Sequence, residues 1–283
     1  MNKKGCLIGF LIAFALIAGV IAFTVISEIT RNPTVDGYGY TLLEDGTYRL
    51  ERVIDAEIGK ELTIPAEVKG KPVTAIESDV FKDNTTLEKV IIPSGVKKVS
   101  GFSGCTNLKE VKLSNSVEII DYGAFENCTS LTKIELPTSV TQILYDAFKG
   151  CTALTEIYLP ETLVEIGQGA FEGCTALRSV EWSASATFIL PDVFKDCTDL
   201  SNIRIPEGVE TLYGAAFDGC TSLTELTIPA SVTDVTGSFY DCENLVKITY
   251  KGTMEQWKSI YGSQDVNGKC TVYCTDGNIS DLD

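Results

Sequence analysis

The chain has 283 residues, a formal net charge of −16 and no histidine. That charge repels a phosphate backbone, so no nucleic-acid partner is expected. The missing imidazole removes the usual general base, the usual activator of Ser and Cys nucleophiles and the commonest zinc ligand.

The first element is apolar. Lys3 and Lys4 precede residues 7–26, where Thr24 is the only polar interruption. As a helix, about twenty such residues span roughly 30 Å, the thickness of a bilayer core. The lysines place the start in the cytoplasm and the remainder outside. Residues 1–4 are therefore read as a cytoplasmic tail, 5–27 as a single-pass transmembrane anchor in the cell membrane and 28–37 as a stalk. A cleaved signal peptide is the rival reading, but its apolar stretch is usually shorter, and the small-x-small site Ala13-Phe14-Ala15 lies in mid-run. Cys6 precedes the run and is not placed as a lipoprotein cysteine; acylation there is a weak signal.

Residues 38–61 carry a hairpin signal. Tyr38-Gly-Tyr-Thr-Leu-Leu and Thr47-Tyr-Arg-Leu-Glu-Arg-Val flank Glu44-Asp45-Gly46, and Asp-Gly between alternating segments favours a tight turn. This reads as an amino-terminal cap. A first coil begins at Leu62-Thr-Ile-Pro65 and holds a polar insertion at Lys69-Gly70-Lys71.

From there a repeat governs the chain. Phe102, Phe125, Phe148, Phe171, Phe194 and Phe217 recur every 23 residues, with Phe81 and Phe239 at shorter intervals on either side. Three residues after each stands a cysteine, from Cys105 to Cys242, except that the first copy has Asn84. Three further on stands a leucine, from Leu87 to Leu245. One clear copy is Leu154, Ile157, Leu159, Pro160, Leu163, Ile166, Ala170, Phe171 and Cys174. Leu-x-x-Ile-x-Leu-Pro predicts a short strand ended by proline. A second extended piece covers Leu163 to Ile166, and Gly169-Ala-Phe predicts a tight helical turn. A coil this small cannot bury its own apolar face, so neighbouring coils must stack. About eight coils at roughly 4.8 Å give a rod or shallow arc near 40 Å long.

These elements, Leu-x-x-Ile-x-Leu-Pro, Ala-Phe and Cys-Thr-x-Leu, resemble the BspA-like leucine-rich repeats of cell-surface proteins, over roughly residues 62–260. The resemblance implies a strand-rich α/β leucine-rich-repeat solenoid, assigned to residues 62–250. It also implies a surface protein that binds host or neighbouring-cell components, an analogy rather than a property of the fold. Residues 251–283 are read as a carboxy-terminal cap and tail. There Trp257 and Ile260 close the core, and Cys270-Thr-Val-Tyr-Cys274 adds a last strand before the turn at Asp276-Gly277-Asn278.

Seven cysteines recur once per coil and would stack with parallel side chains near 4.8 Å apart. That is beyond the usual Cβ separation of a disulfide, and the array cannot surround a tetrahedral metal. They are read as a buried ladder of small apolar thiols whose site serves turned backbone amides, a task Asn84 does better. Cys270 and Cys274 would lie about 13 Å apart in a strand.

Between the core positions, two columns of side chains run along one outer face. The first is Lys89, Glu110, Lys133, Glu156, Ser179, Asn202, Glu225 and Lys247; the second is Ile91, Lys112, Glu135, Tyr158, Glu181, Arg204, Thr227 and Thr249. Within these, Lys112, Lys133, Glu135, Glu156, Tyr158, Glu181 and Arg204 form a candidate ligand-facing strip with Tyr158 as its amphipathic anchor. Alternating charge is also what a solvated sheet face needs, each cross-strand pair contributing about 0.2–1 kcal/mol. Trp182 falls at a core position in the least regular coil, residues 180–194. Neither a phosphate loop, a Ser nucleophile elbow nor paired metal ligands are found, so no cofactor, metal or catalysis is expected. The expected function is binding or adhesion to a protein or glycan on another cell or matrix. The alternative is an envelope spacer without a dedicated ligand.

Overall fold

A computed structural model describes residues 32–182, 186–261 and 270–280. The expected anchor at 5–27, the tail at 1–4 and Cys6 lie outside the described residues. Among those described, no helix is long and apolar enough to cross a membrane.

Each coil has three sides. The front side is a short parallel strand: Glu61–Thr63, Lys89–Ile91, Glu110–Lys112, Lys133–Ile134, Glu156–Leu159, Ser179–Trp182, Asn202–Ile203, Glu225–Ile228 and Lys247–Tyr250. Equivalent residues stand in register, as Lys89 opposite Glu110 and Tyr158 opposite Glu181. The flank is a second set of parallel strands, among them Lys98–Val99, Ile119–Ile120, Gln142–Ile143 and Glu165–Ile166. The third side consists of turns. Ala170 N–H donates to the Gly167 carbonyl, Glu172 N–H to Gly169 and Cys174 N–H to Phe171, each three residues back. The helical turn expected at Gly169-Ala-Phe is thus a run of β-turns. Among the described residues the one helix is Met254–Ile260, so the α/β expectation is corrected to a strand-rich solenoid whose third side is turns.

Residues two places after each phenylalanine explain how the turn side stacks. Asp83, Gly104, Asn127, Gly150, Gly173, Asp196, Gly219 and Asp241 all have left-handed backbone, φ between 56° and 72°. Gly, Asn and Asp are the residues that enter this region at least cost. From Asp83 to Gly219 the reversal turns the N–H toward the next coil: Asn127 N–H reaches the Lys149 carbonyl at 2.7 Å, and Gly150 N–H reaches Glu172 at 2.7 Å.

The core is a column of rings. Phe81, Phe102, Phe125, Phe148, Phe171, Phe194, Phe217 and Phe239 stack with centroids 5.1–5.9 Å apart, and all are buried. Beside them runs the thiol column. Every cysteine among the described residues is a free thiol. Cys128 Sγ donates to the Phe102 carbonyl at 3.2 Å, and the same bond to the preceding coil's phenylalanine recurs from Cys105 to Cys242. The expectation that this site serves backbone amides is therefore corrected: the cysteine is a donor to a carbonyl. Asn84 alone accepts amides, from Thr86 and Leu87 at 2.8 and 2.9 Å. Its coil is the first of the array, and the neighbour below Phe81 is Tyr38 of the cap rather than another repeat phenylalanine.

Both ends are closed by other elements. Tyr38–Leu42 and Tyr48–Val53 form the expected hairpin, and its second strand joins the flank sheet at Lys71–Ile76. Thr34–Val35 pairs with Tyr38 and Gly39, so the last part of the 28–37 segment already belongs to the cap's sheet. The Lys69-Gly70 insertion is a tight hairpin turn between Glu67–Val68 and Lys71–Ile76. At the other end Thr253 caps Met254–Ile260 through a capping box with Gln256, and Trp257 is fully buried. Thr271–Cys274 then continues the front sheet beside Lys247–Tyr250 and turns back as Gly277–Ile279. The front holds nine repeat strands where about eight coils are expected. The extra one, Lys247–Tyr250, belongs to a last coil that has no phenylalanine of the series and leads into the helix with buried Trp257.

Candidate binding face

The strand period alternates along the front, so Ile157 and Leu159 face the core while Glu156 and Tyr158 face out. The front is not one continuous sheet. It comprises the strands from Glu61–Thr63 to Lys133–Ile134, those from Glu156–Leu159 to Asn202–Ile203, and those from Glu225–Ile228 to Gly277–Ile279. At the second break a single bridge, Arg204 to Thr227, joins the two parts.

At the first break the face opens into a hollow of about 230 Å³. It is lined by Lys133, Glu135, Glu156, Tyr158, Ser179 and Glu181 together with core-facing Ile134, Leu136 and Ile157. Five of the seven candidate residues thus come together here. Lys112 belongs to a neighbouring hollow with Lys109 and Glu110, and Arg204 to a third near the second break. Tyr158 is 47% exposed.

The electrostatics differ from simple alternation. Lys89 does reach across to Glu110, at 3.7 Å, and to Glu61, at 3.9 Å. Lys112 instead pairs with Glu110 of its own strand at 3.4 Å, and Lys133 with Glu135, just past the end of its strand, at 3.1 Å. The expected Lys133–Glu156 cross-strand pair is absent, because the ladder is broken between their strands. The Glu135 carboxylate, by hydrogen bond and by charge, holds the Lys133 ammonium above the ordinary lysine range, with Glu156 adding to the effect. Glu156 and Glu181 have no ion-pair partner among the described residues, so the hollow carries net negative charge beside an aromatic ring.

Trp182 is only half-buried; it packs edge-on against Phe194 at 6.0 Å, in keeping with a packing role. Five exposed tyrosines lie outside the strip, Tyr122, Tyr145, Tyr213, Tyr240 and Tyr273, and two of them pair. Tyr122 and Tyr145 stack at 5.7 Å and 5° on the corner between flank and turn side. Their signal is in the repeat, since each stands three residues before a core phenylalanine. Among the described residues no cluster of His, Cys, Asp and Glu is placed to hold a metal ion.

Residues 74–201 and 166–261 match the sequence model of the BspA type leucine rich repeat region, in six copies. The chain belongs to this BspA-type leucine-rich-repeat family. Among solved structures, the BspA-type array is similar to a leucine-rich-repeat protein of T. pallidum, at 28% identity and a TM-score of 0.63. That likeness covers 68% of this chain and 90% of the other. A leucine-rich-repeat protein from Bacteroides ovatus shares the fold at 21% identity and a TM-score of 0.54, over 86% of this chain and 78% of the other. No curated protein matches in sequence.

Proposed function

We propose that this BspA-type protein is a non-catalytic interaction scaffold. It is anchored in the cell membrane through residues 5–27 with its repeats outside, and it binds a protein or glycan of another cell or of the surrounding matrix. The observation that carries the reading is the hollow at the first break of the front sheet, where Tyr158 stands exposed among Glu156 and Glu181. A rigid aromatic side chain with a polar tip gives large contact area at small entropic cost. Glu156 and Glu181, with no ion pair among the described residues, are available to a ligand's donors. The solenoid supplies rigidity, since strands and core fix every lining residue.

The full chain, purified in detergent and labelled, tests this against whole cells, matrix proteins and a glycan panel. Saturable binding should fall about tenfold or more when Tyr158→Ala is combined with Glu156→Lys and Glu181→Lys, as expected for loss of one anchor and reversal of two charges. Unchanged binding by the triple variant would remove this face from the account. The ion pairs Lys89–Glu110 and Lys247–Glu225 favour a second reading, an envelope spacer whose front is already satisfied internally. Absence of binding by a folded, monomeric chain would select it.

A further inference from the structure

The second break of the front sheet has the opposite chemistry. A hollow of about 390 Å³ opens there, and its polar lining includes Arg204, Lys251, Asn202, Thr227, Thr249 and Glu207. Strand register aligns Arg204 with Thr227 and Thr227 with Thr249, so the three form one outward row. Lys251 lies two residues beyond Thr249 and completes the row's far side.

None of these six side chains forms a hydrogen bond or ion pair with another described residue. In a chain of net charge −16 that is unusual for two cations, because most of the other lysines and arginines have a carboxylate within 4 Å, as Lys89, Lys112, Lys133 and Lys149 do. Glu225 also lines the hollow, but Lys247 Nζ holds it at 2.8 Å. The free groups are thus two cations, two hydroxyls, one amide and one carboxylate, with Asn202, Thr227 and Thr249 on strands and Glu207 and Lys251 in the turns beside them.

We infer that this hollow binds an acidic saccharide, with Arg204 and Lys251 on its carboxylate or sulfate. The guanidinium fork matches a planar or tetrahedral anion through paired N–H donors. The other groups decide in favour of a sugar over an acidic peptide. Thr227, Thr249 and Asn202 both donate and accept, which matches ring hydroxyls, and Glu207 supplies a further acceptor for a hydroxyl. Cations can also hold an acidic peptide, but a peptide ligand commonly adds strand pairing or apolar side-chain pockets. Near Arg204 the exposed lining offers no large apolar side chain.

The inference deepens the proposed function of the front face, yet it rests on side chains two coils away from Tyr158. The full chain is to be titrated with polygalacturonate, dextran sulfate, neutral dextran and poly-L-glutamate. Binding to one or both acidic polysaccharides is expected and should weaken with salt, since charged contacts at the surface are screened. Preference between polygalacturonate and dextran sulfate tells carboxylate from sulfate. Arg204→Ala with Lys251→Ala should lower this affinity about tenfold or more, the loss expected when charge-assisted hydrogen bonds are removed. The Tyr158→Ala chain should bind these polymers as the unaltered chain does, so failure of one site is distinguishable from failure of the other. The inference is overturned by equal binding to neutral dextran, by poly-L-glutamate binding as tightly as the polysaccharides, by no binding to either acidic polysaccharide, or by an unchanged double variant.

Discussion

Phe148 shows what a single repeated residue does. It lies between Phe125 and Phe171, with centroids 5.5 and 5.4 Å away, and no part of it is exposed. Phe148→Ala therefore leaves a cavity inside a rigid column, and a loss of about 3–5 kcal/mol is expected in denaturant unfolding. The neighbouring thiol behaves as a small buried donor. Burial pushes Cys174 up to about 12 and Cys105 up to about 11, so neither carries thiolate at neutral pH, and thiolate is the reactive species. A thiol reagent at neutral pH should leave the seven ladder cysteines unmodified in the native chain and reach them on denaturation. Half-buried Cys274 should be the first modified among the described cysteines. Both residue types were legible in the sequence as a period. What was not legible was the direction of the thiol's hydrogen bond, because its partner is a carbonyl about 26 residues earlier, on another coil.

At the scale of the element, each front strand is too short to be stable alone, and its neighbours supply the pairing. Surface charges join this pairing. Glu88 accepts from Lys60 at 2.6 Å and from Lys109 at 2.8 Å, linking three successive coils. Hydrogen bonds from Lys109 and Lys60, and then their charges, hold its carboxyl at about 2, below the ordinary 4.5. A depressed acid stabilises the fold above its unfolded value and loses that contribution as pH falls through the folded value. The stability advantage of the native chain over Glu88→Gln should thus be present above about pH 4.5 and vanish toward pH 2. It should also shrink with salt, as exposed pairs do. Thermal melts at several pH values check this, and an advantage that grows on acidification would contradict it. The strands themselves followed from their alternating apolar residues. The turn side did not follow so well, because a run of β-turns and a short helix both place Ala and Phe inward.

For the whole molecule, the exposed ends of a stack are its weakest part, since a terminal coil has apolar surface on both sides and a neighbour on one. Trp257 fills that need at the carboxy-terminal end, packed against Tyr250 at 5.3 Å and Tyr261 at 5.6 Å. Trp257→Ala should cost about 3–5 kcal/mol. It should also expose the core end, giving concentration-dependent self-association in light scattering before any global unfolding. An equally monomeric and stable variant would show that Thr271–Cys274 and Gly277–Ile279 close the array without the helix.

The sequence by itself determined the repeat, the family, the inward residues and the two outward columns, because each is a matter of local period and of side-chain alternation on a strand. It also placed the caps, where the period stops. Only the tertiary structure decided which of those outward residues meet. The front sheet breaks between Lys133–Ile134 and Glu156–Leu159, and almost breaks between Asn202–Ile203 and Glu225–Ile228. All these strands carry the same kind of sequence, so no local signal marks the gaps. Whether two strands complete their ladder depends on how successive coils accumulate twist and on how each core layer fills. Those are properties of stacked neighbours rather than of any one repeat.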